Sequence, residues 1–221
     1  MMTLRRRCAC LACLVLLLPA VSESQRPAGA VRQEREQAAR EVPQLAELLA
    51  LKPGMTVADV GAGGGAMSVV MAKWLGPGGR VYATDIGAAQ LAEIKGLATQ
   101  DAVSNVVVLE GGESSTNLPS ACCDAIFLRD VYHHLTRPDE FDASLLASLK
   151  PRGRLAIMDF PPDPGSAVPA GVPADRGGHG IPATIIVAEV TRAGLRHVTT
   201  MTRWPPDGDR DRLFLVMFEK P

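Results

Sequence analysis

Asp59-Val60-Gly61-Ala62-Gly63-Gly64-Gly65 stands between a short β-branched run, Thr56 to Val60, and a helical pattern, Ala66 to Leu75. Glycines at such a junction let the chain leave a strand through a sharp turn and let a ligand come close to the backbone. The density of small residues exceeds what a tight turn alone requires. In an open parallel sheet the junction lies at the carboxyl edge, where nucleotides bind. The run by itself fits two classes, because Gly61, Gly63 and Ala66 also satisfy the G-x-G-x-x-G/A pattern of dinucleotide enzymes. Asp85, at the end of the next β-branched run, would hydrogen-bond a ribose in either case.

Outward from this loop, strand and helix alternate. Strands are expected at Arg80 to Asp85, Asn105 to Leu109, Ala125 to Leu128 and Arg154 to Asp159. Helices are expected at Ala66 to Leu75, Ala88 to Ala98, Glu140 to Leu149 and Thr184 to Ala193. That alternation means a doubly wound parallel sheet with helices on both faces. Two final strands, near Leu195 to Thr202 and Leu213 to Glu219, have only the charged turn Asp207 to Arg212 between them, so one runs antiparallel. Met67, Val70, Met71 and Trp74 fall at i, i+3, i+4 and i+7, the spacing of a buried stripe rather than a ligand set. Upstream, Val31 to Ala50 turns from polar to amphipathic, with Pro43 suited to a first helical turn and Leu45, Leu48 and Leu49 on one face.

The chain has 221 residues, 47% hydrophobic and 21% charged, which suffices for one core. A net charge of -1 with no basic cluster in its body excludes a strongly basic nucleic-acid binder. Residues 1–22 read as a signal peptide: Arg5, Arg6 and Arg7, the 14 apolar residues from Cys8 to Val21, and small residues at Ala20-Val21-Ser22. Cleavage would leave an exported protein, periplasmic or secreted, with no stable membrane insertion. An N-terminal anchor or a cytoplasmic enzyme is the alternative. Its removal takes away three arginines and three of the five cysteines. Cys122 and Cys123 are adjacent and read as structural. Residues 23–41 then form a polar segment ahead of a domain at 42–221. No metal site is read. Asp207, Asp209 and Asp211 begin like a calcium loop, but Arg212 takes the glycine position.

The residues around the glycine loop resemble the class I S-adenosylmethionine-dependent methyltransferases, whose first motif is an acidic residue followed by x-G-x-G-x-G, here Asp59, Gly61, Gly63 and Gly65. The resemblance continues through Val81 to Ile86, Asn105 to Glu113, Leu118-Pro119, Asp124 to Leu128 and Lys150 to Arg154. It is similar above all to a bacterial group, often with export leaders, that carries Asp-Val-Tyr-His-His after the fourth strand, here Asp130 to His134. The resemblance implies a Rossmann-like, doubly wound, seven-stranded sheet, mostly parallel with an antiparallel C-terminal hairpin strand. It implies S-adenosyl-L-methionine as cofactor and methyl transfer to a small-molecule acceptor. By position, Gly61, Ala62, Gly63 and Gly65 would hold the methionine part, Asp59 would order the loop, and Asp85 with Ile86 would meet the ribose. Gly112 and Glu113 would lie near adenine. Many relatives have Gly-Asp where this chain has Gly111-Gly112, which shifts the adenine contact to Glu113 or a backbone amide.

Methyl transfer needs an aligned nucleophile and, for a hydroxyl or protonated amine, a base. Asp130, Tyr132, His133 and His134 follow the fourth strand at the same edge and are the candidates, His133 foremost. Asp159 ends the fifth strand. Pro161 to Pro182, a 22-residue loop with six prolines and five glycines, reads as a lid containing His179. Two other functions remain open: an NAD(P)-dependent oxidoreductase, and a non-catalytic S-adenosylmethionine-binding protein.

Overall fold

Seven strands form one sheet in a computed structural model that describes residues 27–206 and 212–221. The leader and the aspartates of the last turn lie outside the described residues. In chain order the elements are α1 (Ala28–Leu48), β1 (Thr56–Val60), α2 (Ala66–Leu75), β2 (Arg80–Asp85), α3 (Ala88–Gln100), β3 (Val106–Glu110), β4 (Cys123–Arg129), α4 (Pro138–Ser148), β5 (Leu149–Asp159), α5 (Ala183–Arg192), β6 (Arg196–Trp204) and β7 (Leu213–Glu219). The strand order is β3-β2-β1-β4-β5-β7-β6. All neighbours up to β5 pair in parallel, and β7 enters antiparallel to both β5 and β6. The expected hairpin is therefore present.

Strand alternation divides the interior. Val60, Ile126, Leu128, Leu155, Ile157 and Val216 pack on one face with Leu145 of α4 and Ile186 and Val190 of α5. Val57, Phe127, Ala156, Met158 and Leu215 pack on the other with Leu45 of α1 and Met71 and Leu75 of α2. Within α2 the deepest residues are Ser68, Val69, Met71, Ala72 and Leu75, while Met67, Val70 and Trp74 are only partly buried. The stripe read from the sequence is thus shifted, because α2 has α1 and the sheet as neighbours and buries an arc wider than one row.

The largest difference from the sequence reading is α1. It starts at Ala28 and carries Pro43 inside, not in a first turn, so the boundary placed at residue 42 falls within a continuous helix. Proline removes one hydrogen bond from a helix interior, and packing outweighs that loss here. Ala38, Val42, Leu45 and Ala46 are all buried, and so is Glu41. Glu41 accepts hydrogen bonds from Arg129 Nε (3.0 Å), Arg129 Nη2 (3.0 Å) and Trp204 Nε1 (3.2 Å). This carboxylate fastens α1 to the ends of β4 and β6. No helix of the described residues is long and apolar enough to cross a membrane.

The order reverses between β1 and β4, so the loops leaving their carboxyl ends diverge and open a crevice. Those loops begin with Gly61 and Asp130, the two segments singled out in the sequence.

Candidate functional site

The glycine loop is shaped by its own amides. Gly61 N and Ala62 N both donate to Thr84 O at 2.9 Å, which draws the loop over β2. Gly61, Gly63 and Gly65 have φ of 75°, 53° and 81°, values that favour glycine. At Gly61 an added Cβ would stand 2.5 Å from Val131 Cγ2, so the loop and the turn after β4 touch at this glycine. Asp85 locks the arrangement, accepting from Gly63 N through Oδ2 (2.9 Å) and from Gly87 N through Oδ1 (3.0 Å). Each carboxylate oxygen keeps a further lone pair for a ligand hydroxyl.

Two cavities meet over this loop. The larger, about 520 Å³, is lined by Gly61, Gly63, Asp85, Ile86, Gly112, Glu113, Asp130 and His134, with Thr84, Gln90, Ser115, Thr116 and Phe141. The smaller, about 280 Å³, is lined by Asp59, Gly61 to Gly64, Arg129 and Asp130, with Glu34, Gln37 and Ala38 of α1. Gly61, Gly63 and Asp130 belong to both. Eight of the nine residues expected to bind cofactor therefore line one bipartite cleft. Gly65 is the exception: an added Cβ there would meet Ile94 Cα at 3.1 Å, so this glycine serves helix packing. Ile86 is 67% exposed at the lip, an apolar surface available to a ring. The Gly111 and Gly112 amides already donate to Asp85 O and Ser115 O, and Glu113 lines the cavity beside them.

Asp59 is buried and accepts from Ser68 Oγ at 2.6 Å. Burial pushes its carboxyl up to about 7, with Asp85 adding to the rise and the Ser68 bond and the Arg129 charge opposing it. In the unfolded chain the same group ionises near 3.8, so its contribution to stability is greatest below that pH and is lost as pH rises through about 7. Asp59→Asn should remove this loss and raise the stability of the unliganded protein at pH 8 by up to about 4 kcal/mol. Urea unfolding of parent and variant across the pH range checks it, and parallel curves would contradict it.

The four catalytic candidates do not act together. Asp130, with φ of 62°, lies exposed where the two cavities join. His134 is exposed on the wall of the larger one. Burial, then the neighbouring His133 and His179, push its pKa down. Tyr132 is fully buried, its hydroxyl 2.8 Å from Asp142 Oδ2 and 3.1 Å from Glu189 Oε2. His133 is 1% exposed, with Nδ1 2.9 Å from Asp159 Oδ1. Neither Tyr132 nor His133 lines the cleft, which corrects the placing of both at the substrate. The cause is the single 3-10 turn Tyr132–His134, which sends adjacent side chains to different sides.

The long loop is fastened rather than free. Ile181 and Arg176 are fully buried, Asp163 bridges to His179, and none of its residues lines either cavity. The sequence reading also missed Glu34 and Gln37, which fell in the polar segment placed ahead of the domain.

Residues 58–157 match a family model described as a methyltransferase domain. Among curated proteins the chain is similar to the ubiquinone/menaquinone biosynthesis C-methyltransferase UbiE of Pseudomonas paraeruginosa, 29% identical over 115 residues, 52% of this chain and 45% of that protein. The chain thus spans less than half the length of that relative. Among solved structures it resembles a SAM-dependent methyltransferase from Aquifex aeolicus, with TM-score 0.69 and 22% identity over 89% of this chain and 100% of that one. It also resembles the [4+2]-cyclase SpnF, with TM-score 0.67 and 18% identity over 84% and 82% of the two chains. At these identities the structural likenesses establish the fold.

Proposed function

We propose that this chain, which has the class I S-adenosylmethionine-dependent methyltransferase fold, transfers a methyl group from S-adenosyl-L-methionine to a small-molecule acceptor. The observation that carries the reading is the bipartite cleft over Gly61 and Gly63. Its larger part offers the Asp85 carboxylate and the exposed Ile86 to a nucleoside, and its smaller part offers Asp59 and the Gly61 to Gly64 backbone to an amino-acid group. The fit has a direct local sign: a Cβ added at Gly63 would meet nothing within 4 Å, so the backbone there is left bare toward the cleft. A dinucleotide would need a second mononucleotide unit, and the β6–β7 hairpin stands in its place.

When bound, the cofactor supplies an electrophilic methyl carbon. The protein supplies position and a proton acceptor. Asp130 lies at the join of the two cavities, where an acceptor aligned with that carbon must approach, and its carboxylate is placed to take the acceptor's proton. Asparagine tolerates the left-handed backbone at this position, so Asp130→Asn keeps the shape and removes the base. The variant is expected to bind S-adenosylhomocysteine as the parent does and to transfer methyl groups about 10²-fold more slowly in a radiolabelled acceptor screen. Loss of product-analogue affinity in parallel would assign Asp130 to the loop instead.

A carbon acceptor is the second reading, favoured by the C-methyltransferase named among the relatives. Such an acceptor needs little help from a base, and a small effect of Asp130→Asn is its mark. The Asp130 to His134 segment supports membership of the bacterial group with that motif. Export rests on the arginine, apolar and small-residue pattern of residues 5–22.

A further inference from the structure

Three imidazoles from two separate segments meet behind the wall of the larger cavity, to which only His134 contributes among the three. His133 and His134 come from the turn after β4, and His179 from the loop between β5 and α5. The ring of His133 lies 3.9 Å from that of His134 and 4.9 Å from that of His179, centroid to centroid. One nitrogen of each falls within 4.8 Å of the other two.

The decisive group is His133. Asp159 is fully buried and receives the backbone N–H of His133 on Oδ2 (3.0 Å) and that of Phe160 on Oδ1 (2.8 Å). Surrounded by donors, its carboxylate fixes the proton of His133 on Nδ1, 2.9 Å from Oδ1. The lone pair is then on Nε2, which is buried and has no hydrogen-bond partner among the described residues. A buried imidazole nitrogen without a partner is costly, and nothing in the turn's own geometry requires it. A carboxylate that orients a histidine through one nitrogen and leaves the other bare is the arrangement by which proteins prepare a metal ligand.

We propose that His133 Nε2, together with one ring nitrogen each of His134 and His179, binds a divalent transition metal ion of the zinc class. Three neutral nitrogen donors suit such an ion and leave a further coordination position. Tetrahedral ligation would draw the nitrogens to about 3.3 Å apart, given metal–nitrogen bonds near 2.0 Å. His133 is fixed by Asp159, so the closing movement belongs to the exposed His134 ring and to His179 on its loop. The ion would fasten the loop to the turn that carries Asp130. Metal binding here is independent of methyl transfer, and its readout is the ion itself.

The test is a titration of tag-free, chelator-stripped full chain with Zn²⁺ against a chromogenic chelator, with Co²⁺ as the spectroscopic probe. The parent is expected to take one ion per chain and to give the visible bands of four-coordinate cobalt. His179→Ala, a loop variant outside the core, should weaken Zn²⁺ binding at least ~10-fold, and Asp159→Asn should weaken it about 10–100-fold by releasing His133. His197→Ala, on β6 and hydrogen-bonded to Thr200, should bind as the parent does. Absence of a stoichiometric site in the parent, or parent-like affinity in His179→Ala, would overturn the proposal. S-adenosylhomocysteine titrations of the same samples report the methyl-transfer reading separately.

Discussion

Gly63→Val is expected to abolish saturable binding of S-adenosylhomocysteine, a loss of at least ~100-fold in Kd or about 2.7 kcal/mol. Two effects act in the same direction. Gly63 has φ of 53°, a region that a β-branched residue adopts only with strain. Its missing side chain faces no protein atom within 4 Å, so a valine would project into the cleft where the ligand must lie. The same openness makes this glycine a better probe than Gly61, where an added Cβ would stand 2.5 Å from Val131 Cγ2 and mix a folding defect into the result. Gly63→Ala should give an intermediate loss. Calorimetry measures both, with circular dichroism confirming the fold, and parent-like affinity in a folded Gly63→Val would remove the loop from the cofactor site.

Arg176→Met is expected to destabilise the protein by about 3–5 kcal/mol, the cost of leaving one member of a buried ion pair alone. Arg176 is fully buried and donates from Nη1 to Glu189 Oε1 at 2.9 Å. Glu189 is in turn joined through Tyr132 to Asp142, whose carboxyl is pushed up to about 7 by burial. Without the guanidinium, the Glu189 carboxyl loses its ion-pair partner in this buried cluster and keeps the Tyr132 hydroxyl as a hydrogen-bond partner. The double variant Arg176→Met/Glu189→Gln should recover part of the loss, because no uncompensated charge remains. Urea unfolding measures both steps. A cost under 1 kcal/mol for the single variant would mean that the loop is held by Ile181 and the Asp163 bridge alone.

Much of this was legible in the sequence because two strong periodicities act locally. The centres of β1, β4 and β5, Val57 to Val60, Ala125 to Leu128 and Leu155 to Met158, are short runs buried on both faces, and the missing helix between the last two strands marked the hairpin. The glycine loop was legible because its backbone has to leave β1 at positive φ. What escaped was set by contacts distant along the chain. Glu41 looked like the end of the polar segment 23–41, and its burial depends on Arg129 and Trp204. A sign of it was present in Ala38, Val42, Leu45, Ala46 and Leu49, whose spacing continues an apolar face back through Pro43. The exchange of His133 and His134 has a similar cause. A one-turn helix separates their directions, but only the Asp159 carboxylate, at the end of another strand, decides which ring turns inward. His179 carried no signal beyond its presence in a long loop, since its neighbours in space are the other two histidines.

Whether the cleft takes S-adenosylmethionine is decided by calorimetric titration of the parent chain with S-adenosylhomocysteine, beside an identical titration with NADH. Saturable one-to-one binding of S-adenosylhomocysteine with no heat from NADH is the predicted result. Saturable binding of NADH with none of S-adenosylhomocysteine would exclude a methyltransferase cleft and return the glycine loop to the dinucleotide class.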